Sequence, residues 1–190
     1  MKISNFKKKL TIVFFGFFLD TSAFANNESI YTVIKKTDVY EIRFYPERLV
    51  VESIYNSTGG TFRKLFNYIS GANNTSEKIE MTTPVTQIKK NNKNFMQFIL
   101  PERFNKKTIP IPTNSEVNIV IIKEGYFGVI KYSGRSSDKN FIKHSKILYE
   151  KLLEDKILIE GLPIKASYNS PFTPPPLRRN EVMFNIKWES

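Results

Sequence analysis

Val117-Asn118-Ile119-Val120-Ile121-Ile122, a break near Glu124-Gly125, and then Phe127-Gly128-Val129-Ile130-Lys131-Tyr132 form the stretch on which the fold turns. Its alternation and its β-branched and aromatic content predict two strands. The same outline occurs earlier as Val39-Tyr40-Glu41-Ile42-Arg43-Phe44-Tyr45, a turn at Pro46-Glu47, and a second run over 49–55. Two hairpins of matching length and order are therefore expected, and an internal repeat of this kind decides the architecture.

Each expected hairpin leads into a break and a helix. Gly59-Gly60 precede a helix over 61–69, where Phe62, Leu65, Phe66 and Ile69 fall at i, i+3, i+4 and i+7, and Gly71 closes it. Ser136-Ser137-Asp138 precede a helix over 139–154 with Phe141, Leu148, Tyr149, Leu152 and Leu153 along one face and Ser137 or Asp138 as N-cap. An extended segment follows each helix, over 78–85 and 164–172, and a last strand closes each half, over 95–100 and 181–186. The expectation is an α+β fold: duplicated ββαββ halves, about 38–101 and 116–188, forming a curved antiparallel sheet or distorted barrel with two packed helices. A pseudo-twofold relation would place a cleft between the halves. Residues 101–115 join them, and prolines 174 to 176 are expected to hold the 171–179 crossover extended and stiff.

Length and composition fit one globular core. The chain has 190 residues, 41% hydrophobic and 25% charged, with 16 Phe, 9 Tyr and 1 Trp. With no cysteine, disulfides, zinc–thiolate sites, iron–sulfur clusters, thiol catalysis and covalent heme attachment are excluded, and the one histidine, His144, excludes paired-histidine sites within one chain.

The N-terminus carries Lys2 and Lys7-Lys8-Lys9, an apolar run over 10–19, and then Ala23-Phe24-Ala25. Ten apolar residues reach only ~15 Å as a helix, half of a ~30 Å hydrocarbon core, and the small residues suit a signal peptidase. Residues 1–25 are thus read as a Sec signal peptide cleaved near Ala25, residues 26–190 as a single domain, and the destination as periplasmic or secreted. The formal charge of the chain is +11; the leader holds four lysines and one aspartate, so the mature form stays basic. Such an excess steers anionic partners, an anionic membrane surface among them. The lysines are scattered and form no stripe with interleaved aromatics, so nucleic acid is not an expected partner, and a monomer is expected.

Lys78-Ile79-Glu80-Met81-Thr82-Thr83-Pro84-Val85, Tyr168-Asn169-Ser170-Pro171-Phe172 and Arg178-Arg179-Asn180-Glu181-Val182 closely resemble the SOUL heme-binding protein family in order and spacing. The 40–46 strand, the 68–73 helix end and the 98–101 segment extend the resemblance over essentially all of 30–188. It implies a duplicated α+β barrel with two helices, similar to the effector-binding domains of bacterial transcription regulators, and non-covalent binding of heme or a related tetrapyrrole. The family pattern has no obligatory histidine. Iron ligation here would fall to His144, a helix-flank residue with a plainer reading as a bystander, or to a methionine or tyrosine.

A tetrapyrrole can instead be held as an amphipath, its face on apolar side chains and its propionates on cations. In the family the groove lies between the first helix and the loop before the last strand. The resemblance therefore singles out Phe62, Arg63, Lys64 and Phe66 on one side, Arg178 and Arg179 on the other, and Met81 on the interrupted strand. Each has a plainer reading: Phe62 and Phe66 as core, Arg178 and Arg179 as partners of Glu181 or caps of the crossover, and Met81 as ordinary strand.

Enzyme chemistry lacks its usual parts, with no Gly-rich phosphate loop, no Gly-x-Ser-x-Gly elbow and no Cys/His pair. Glu80 is a candidate general base, against which stands a solvent-facing strand position. The expectation is a binding protein and not an enzyme. The alternative is an interaction or envelope-surface scaffold that binds another amphipath, anionic lipid or a protein.

Overall fold

A computed structural model describes residues 27–55 and 60–189. The expected signal peptide lies outside them, as does Gly59. The elements run β1 (Asn27–Glu28), β2 (Thr32–Lys36), β3 (Glu41–Tyr45), β4 (Arg48–Ile54), α1 (Gly60–Ile69), β5 (Thr82–Thr83), β6 (Val85–Lys90) and β7 (Lys93–Ile99). The second half follows with β8 (Asn118–Ile122), β9 (Gly125–Tyr132), α2 (Asp138–Glu154), β10 (Leu158–Ser167), a 3₁₀ turn (Pro175–Leu177) and β11 (Asn180–Lys187). The α+β class and the order of elements are as expected; β1 and β2 were not foreseen.

Nine strands form one antiparallel sheet in the order β2-β3-β9-β11-β10-β6-β7-β4-β8, and β1 pairs with β5 in parallel. The two expected hairpins are absent. β3 has β2 and β9 as its neighbours and β4 has β7 and β8, so neither has a free edge for the other. β8 and β9 likewise lie apart. Each half instead lends its first strand to the other: β3 extends the β9-β11-β10 set, and β8 extends the β7-β4 side. A pseudo-twofold axis passes between β6 and β10, where Thr86 lies opposite Ala166. A ladder of hydrogen bonds fills the place where a cleft between halves was expected.

This exchange forces the sheet to curl. β3 and β4 stand six strand positions apart, ~29 Å if the sheet were flat. Tyr45 and Arg48 are joined only through Pro46-Glu47, a link that reaches at most ~11 Å. The same holds for β8 and β9 across Lys123-Glu124. The sheet ends therefore approach one another, although β2 and β8 do not pair and the curl stays open.

Both helices pack on the outer face, α1 on β4 and β7, and α2 on β9, β10 and β11. α1 buries Thr61, Leu65, Tyr68 and Ile69, a stripe at i, i+4, i+7 and i+8. The Thr61 hydroxyl donates to the Ile54 carbonyl at 3.0 Å and the Tyr68 hydroxyl to the Pro110 carbonyl at 2.8 Å, so polar anchors rotate the helix away from the purely apolar stripe. α2 begins at Ser137, whose side chain accepts from the Asn140 amide. It buries Leu148 and Leu152 and leaves Tyr149 and Leu153 exposed, against expectation. The cause is Gly128: a Cβ there would lie 2.9 Å from Leu152, so the missing side chain is the socket that sets the helix rotation.

The crossover also differs from expectation. Pro175–Leu177 make a turn instead of a stiff extended rod, closed by Leu177 N–H to the Pro174 carbonyl and Arg178 N–H to the Pro175 carbonyl.

Candidate functional site

Directly paired residues share a face of a sheet, so the register separates the helix-free inner face from the outer one. A polar row crosses the inner face through Glu52, Gln97, Thr86, Ala166, Glu181 and Lys131, each opposite the next. The pseudo-axis makes Gln97 equivalent to Glu181 and Glu52 equivalent to Lys131. Glu52 is held by Lys90 Nζ at 2.7 Å and by the Gln97 amide at 2.7 Å. Glu181 accepts from Arg43 at 3.0 and 3.2 Å, from Arg179 at 2.8 and 3.0 Å, and from the Tyr168 hydroxyl at 2.7 Å. Burial and then Glu181 push the Tyr168 phenol far up, so it stays protonated and donates. Burial alone would lower the pKa of Arg43, but Glu181 outweighs it and raises that pKa.

This network settles where two of the sequence-selected cations sit. Arg179 is engaged by Glu28 at 2.8 and 2.9 Å as well as by Glu181, and its guanidinium lies 3.8 Å from the centre of the Tyr168 ring. Arg178 donates to the Thr173 and Pro171 carbonyls at 2.7 and 2.6 Å. Both do what their plainer reading said, one pairing with Glu181 and the other capping the crossover.

The α1 residues are arranged differently. Phe62 and Phe66 are not core: they are 42% and 46% exposed, and Met81 is 40% exposed. The two phenyl rings stack at 6.1 Å with planes 13° apart, and Phe62 meets Phe98 edge-on at 5.1 Å. Phe66 and Met81 line an open concavity of about 500 Å³ together with Ile69, Ser70, Lys78 and Ile79. Arg63, on the same helix, is exposed with no ion pair among the described residues, and Lys64 pairs with Glu116 at 2.7 Å. Phe66, Met81 and the cation Lys78 share this concavity, Phe62 adjoins it through its stack on Phe66, and none of Arg63, Lys64, Arg178 and Arg179 lines it. Lys78 was the member that sequence reasoning missed, although it stands in the KIEMTTPV motif.

His144 lies on α2, at the other half. Its Nδ1–H donates to the Asn140 carbonyl at 2.7 Å and its ring stacks on Tyr132 at 4.1 Å. Among the described residues no group of three or more His, Cys, Asp or Glu could hold a metal ion. Glu80 is exposed and lies 3.8 Å from Arg103.

A larger cavity of about 610 Å³ opens where the Pro46-Glu47 link crosses between the ends of the sheet. Arg48, Leu49, Ile99, Phe104 and Ile121 are in its wall, and nothing in the sequence marked it.

A family profile described as SOUL heme-binding protein matches residues 27–185. In structure the chain is similar to the C-terminal domain of EcmrR, with TM-score 0.56 and 12% identity over 83% of this chain and 98% of that one. It is also similar to a hydrolase from Listeria innocua, with TM-score 0.56 and 10% identity over 81% and 94%. At these identities the likeness is one of fold. No curated protein matches the chain in sequence.

Proposed function

The chain belongs to the SOUL heme-binding protein family, a family of binding proteins, and from that membership we propose that it holds heme or a related tetrapyrrole reversibly on the α1 concavity and performs no catalysis. The observation that carries the reading is the stacked, solvent-facing pair Phe62 and Phe66 beside exposed Met81. A helix that docks through Thr61, Leu65, Tyr68 and Ile69 has no packing reason to expose two phenylalanines together.

The residues present fit a flat amphipath. Phe66 and Met81, with Phe62 stacked beside them, offer the apolar face, and Lys78 and the exposed Arg63 offer cations for the propionates, whereas Lys64 is held by Glu116. Arg178 and Arg179 are less suited, because their donors are already taken inside the protein. Heme bound there would bring its own iron chemistry, and the chain contributes shape, desolvation and charge. His144, stacked on Tyr132 at the other half, is not its ligand in this reading.

The lysines, apolar run and Ala23-Phe24-Ala25 of residues 1–25 support an exported form that acts in the periplasm or outside the cell. The test is a titration of the purified protein with hemin and with iron-free protoporphyrin at low and ~0.5 M salt, where surface attraction is screened to a few Å. Saturable one-to-one binding of both at either salt is expected. Salt-sensitive association with anionic vesicles and no Soret change on hemin addition would favour a scaffold that meets membrane surfaces.

A further inference from the structure

The arginines of the inner face are not treated alike. Arg43 and Arg179 each meet two carboxylates. Arg48, the first residue of β4, has no ion pair among the described residues, and its Nε is shielded from solvent with no hydrogen-bond partner. The guanidinium lies 4.3 Å from the Tyr45 ring centre and 5.4 Å from that of Phe127, contacts that favour a cation but supply no acceptor for the Nε–H. Burial lowers its pKa, as expected of a charge withdrawn from water with no counter-charge.

Arg48 stands in the wall of the 610 Å³ cavity, a size common for small-molecule sites. Leu49, Ile99, Phe104 and Ile121 line the same space. The other charges there are differently placed. Glu28 is held by Arg179, and Arg103 is shared between Glu77 at 3.5 Å and Glu80 at 3.8 Å. Glu47, Glu102 and Lys106 are exposed at the rim, so charges of both signs face solvent there. Arg48 is left as a cation lacking its anion, beside an apolar wall.

We propose that this cavity is a second ligand site, distinct from the α1 concavity, that takes an amphipathic monocarboxylate with its head on the Arg48 guanidinium and its tail along Ile99 and Phe104. A guanidinium fork matches a carboxylate in two parallel hydrogen bonds, and the desolvated setting strengthens each of them. A dicarboxylate would have to lay its second charge against the apolar wall, where it loses its hydration.

The test is calorimetry of the full-length chain with decanoate, decanol and decanedioate. Decanoate is expected to saturate at one equivalent and to raise the melting temperature, with decanol and decanedioate each at least tenfold weaker. Arg48→Met should weaken decanoate at least tenfold and leave hemin affinity unchanged. Arg48→Lys, which keeps the charge and loses the fork, should fall between Arg48→Met and the unmodified chain. Equal binding of decanol and decanoate, no saturation in the millimolar range, or displacement of decanoate by one equivalent of hemin would each overturn the proposal. The hemin titration of Arg48→Met stands apart from it, so failure of one site does not imply failure of the other.

Discussion

The two sides of the pseudo-axis place different chemistry at equivalent positions. Where the second half has Glu181, wholly buried under Arg43, Arg179 and Tyr168, the first half has neutral Gln97. Where the first half has Glu52, tied to Lys90 at the margin of solvent, the second has Lys131, drawn to Glu41 at 3.6 Å. The lattice around Glu181 joins Arg179 and Tyr168 of the second half to Arg43 on the exchanged strand β3 and clamps β1 through Glu28. The first half leaves Phe62, Phe66, Arg63 and Arg48 with surfaces unspent. On the proposed reading the duplicated fold divides its labour, one side stabilising and the other binding.

The strongest way to break this contrast is Glu181→Gln. It removes the buried one of the two carboxylates that pair with Arg43, itself wholly buried, and a broken buried pair costs ~3–5 kcal/mol. Thermal unfolding should shift down by roughly 6–20 °C at ~2–4 °C per kcal/mol. Glu52→Gln, on the other side, should cost only about 1 kcal/mol, because the Lys90 side chain is 39% exposed and can turn to water. Equal losses in the two melts would erase the division.

Next in size is the double variant Phe62→Ala with Phe66→Ala, expected to weaken hemin at least tenfold in a Soret titration and to lower the melting temperature less than Glu181→Gln does, since both rings are partly exposed although Phe62 also packs on Phe98. Gly128→Ala sharpens the other side: its methyl would meet Leu152, an overpacking worth ~1–3 kcal/mol in denaturant unfolding, with hemin affinity unchanged.

The smallest effect is in acid. Burial alone would raise the Glu41 carboxyl pKa, but Arg43, Lys131 and Lys36 outweigh it and hold it below the ordinary 4.5. A carboxylate depressed in the folded state adds stability above its unfolded pKa and loses it as pH falls through the folded value. Glu41→Gln should flatten the decline in stability below about pH 4.5, and an unchanged acid slope would remove Glu41 from the lattice.

Much of this molecule was legible locally. The order of strands and helices, the Ser137 cap and the end of α1 near Gly71 follow from turn chemistry and periodicity within a few residues. Strand partnership was not legible. A two-residue link such as Pro46-Glu47 usually signals a hairpin, and only the edges taken by β9 and β8, far along the chain, rule it out. The rotation of α1 was hidden for a related reason: Thr61 and Tyr68 dock through hydroxyls, which an apolar count passes over. Arg178 and Arg179 were singled out as propionate partners, but their acceptors at 171, 173 and 28 depend on the fold, as does the lack of a partner for Arg48 Nε.

The exchange of first strands also sets a schedule. β3 emerges during synthesis roughly eighty residues ahead of β9, its main partner, and β4 must wait about as long for β8. Neither half can finish its sheet on its own, so the late arrival of residues 118–132 governs when the first half becomes native, and contacts of such long range make folding slow. A nascent chain of this design stays incomplete until its second half is available, and a cut between the halves would leave two fragments, each lacking an edge that only the other can supply.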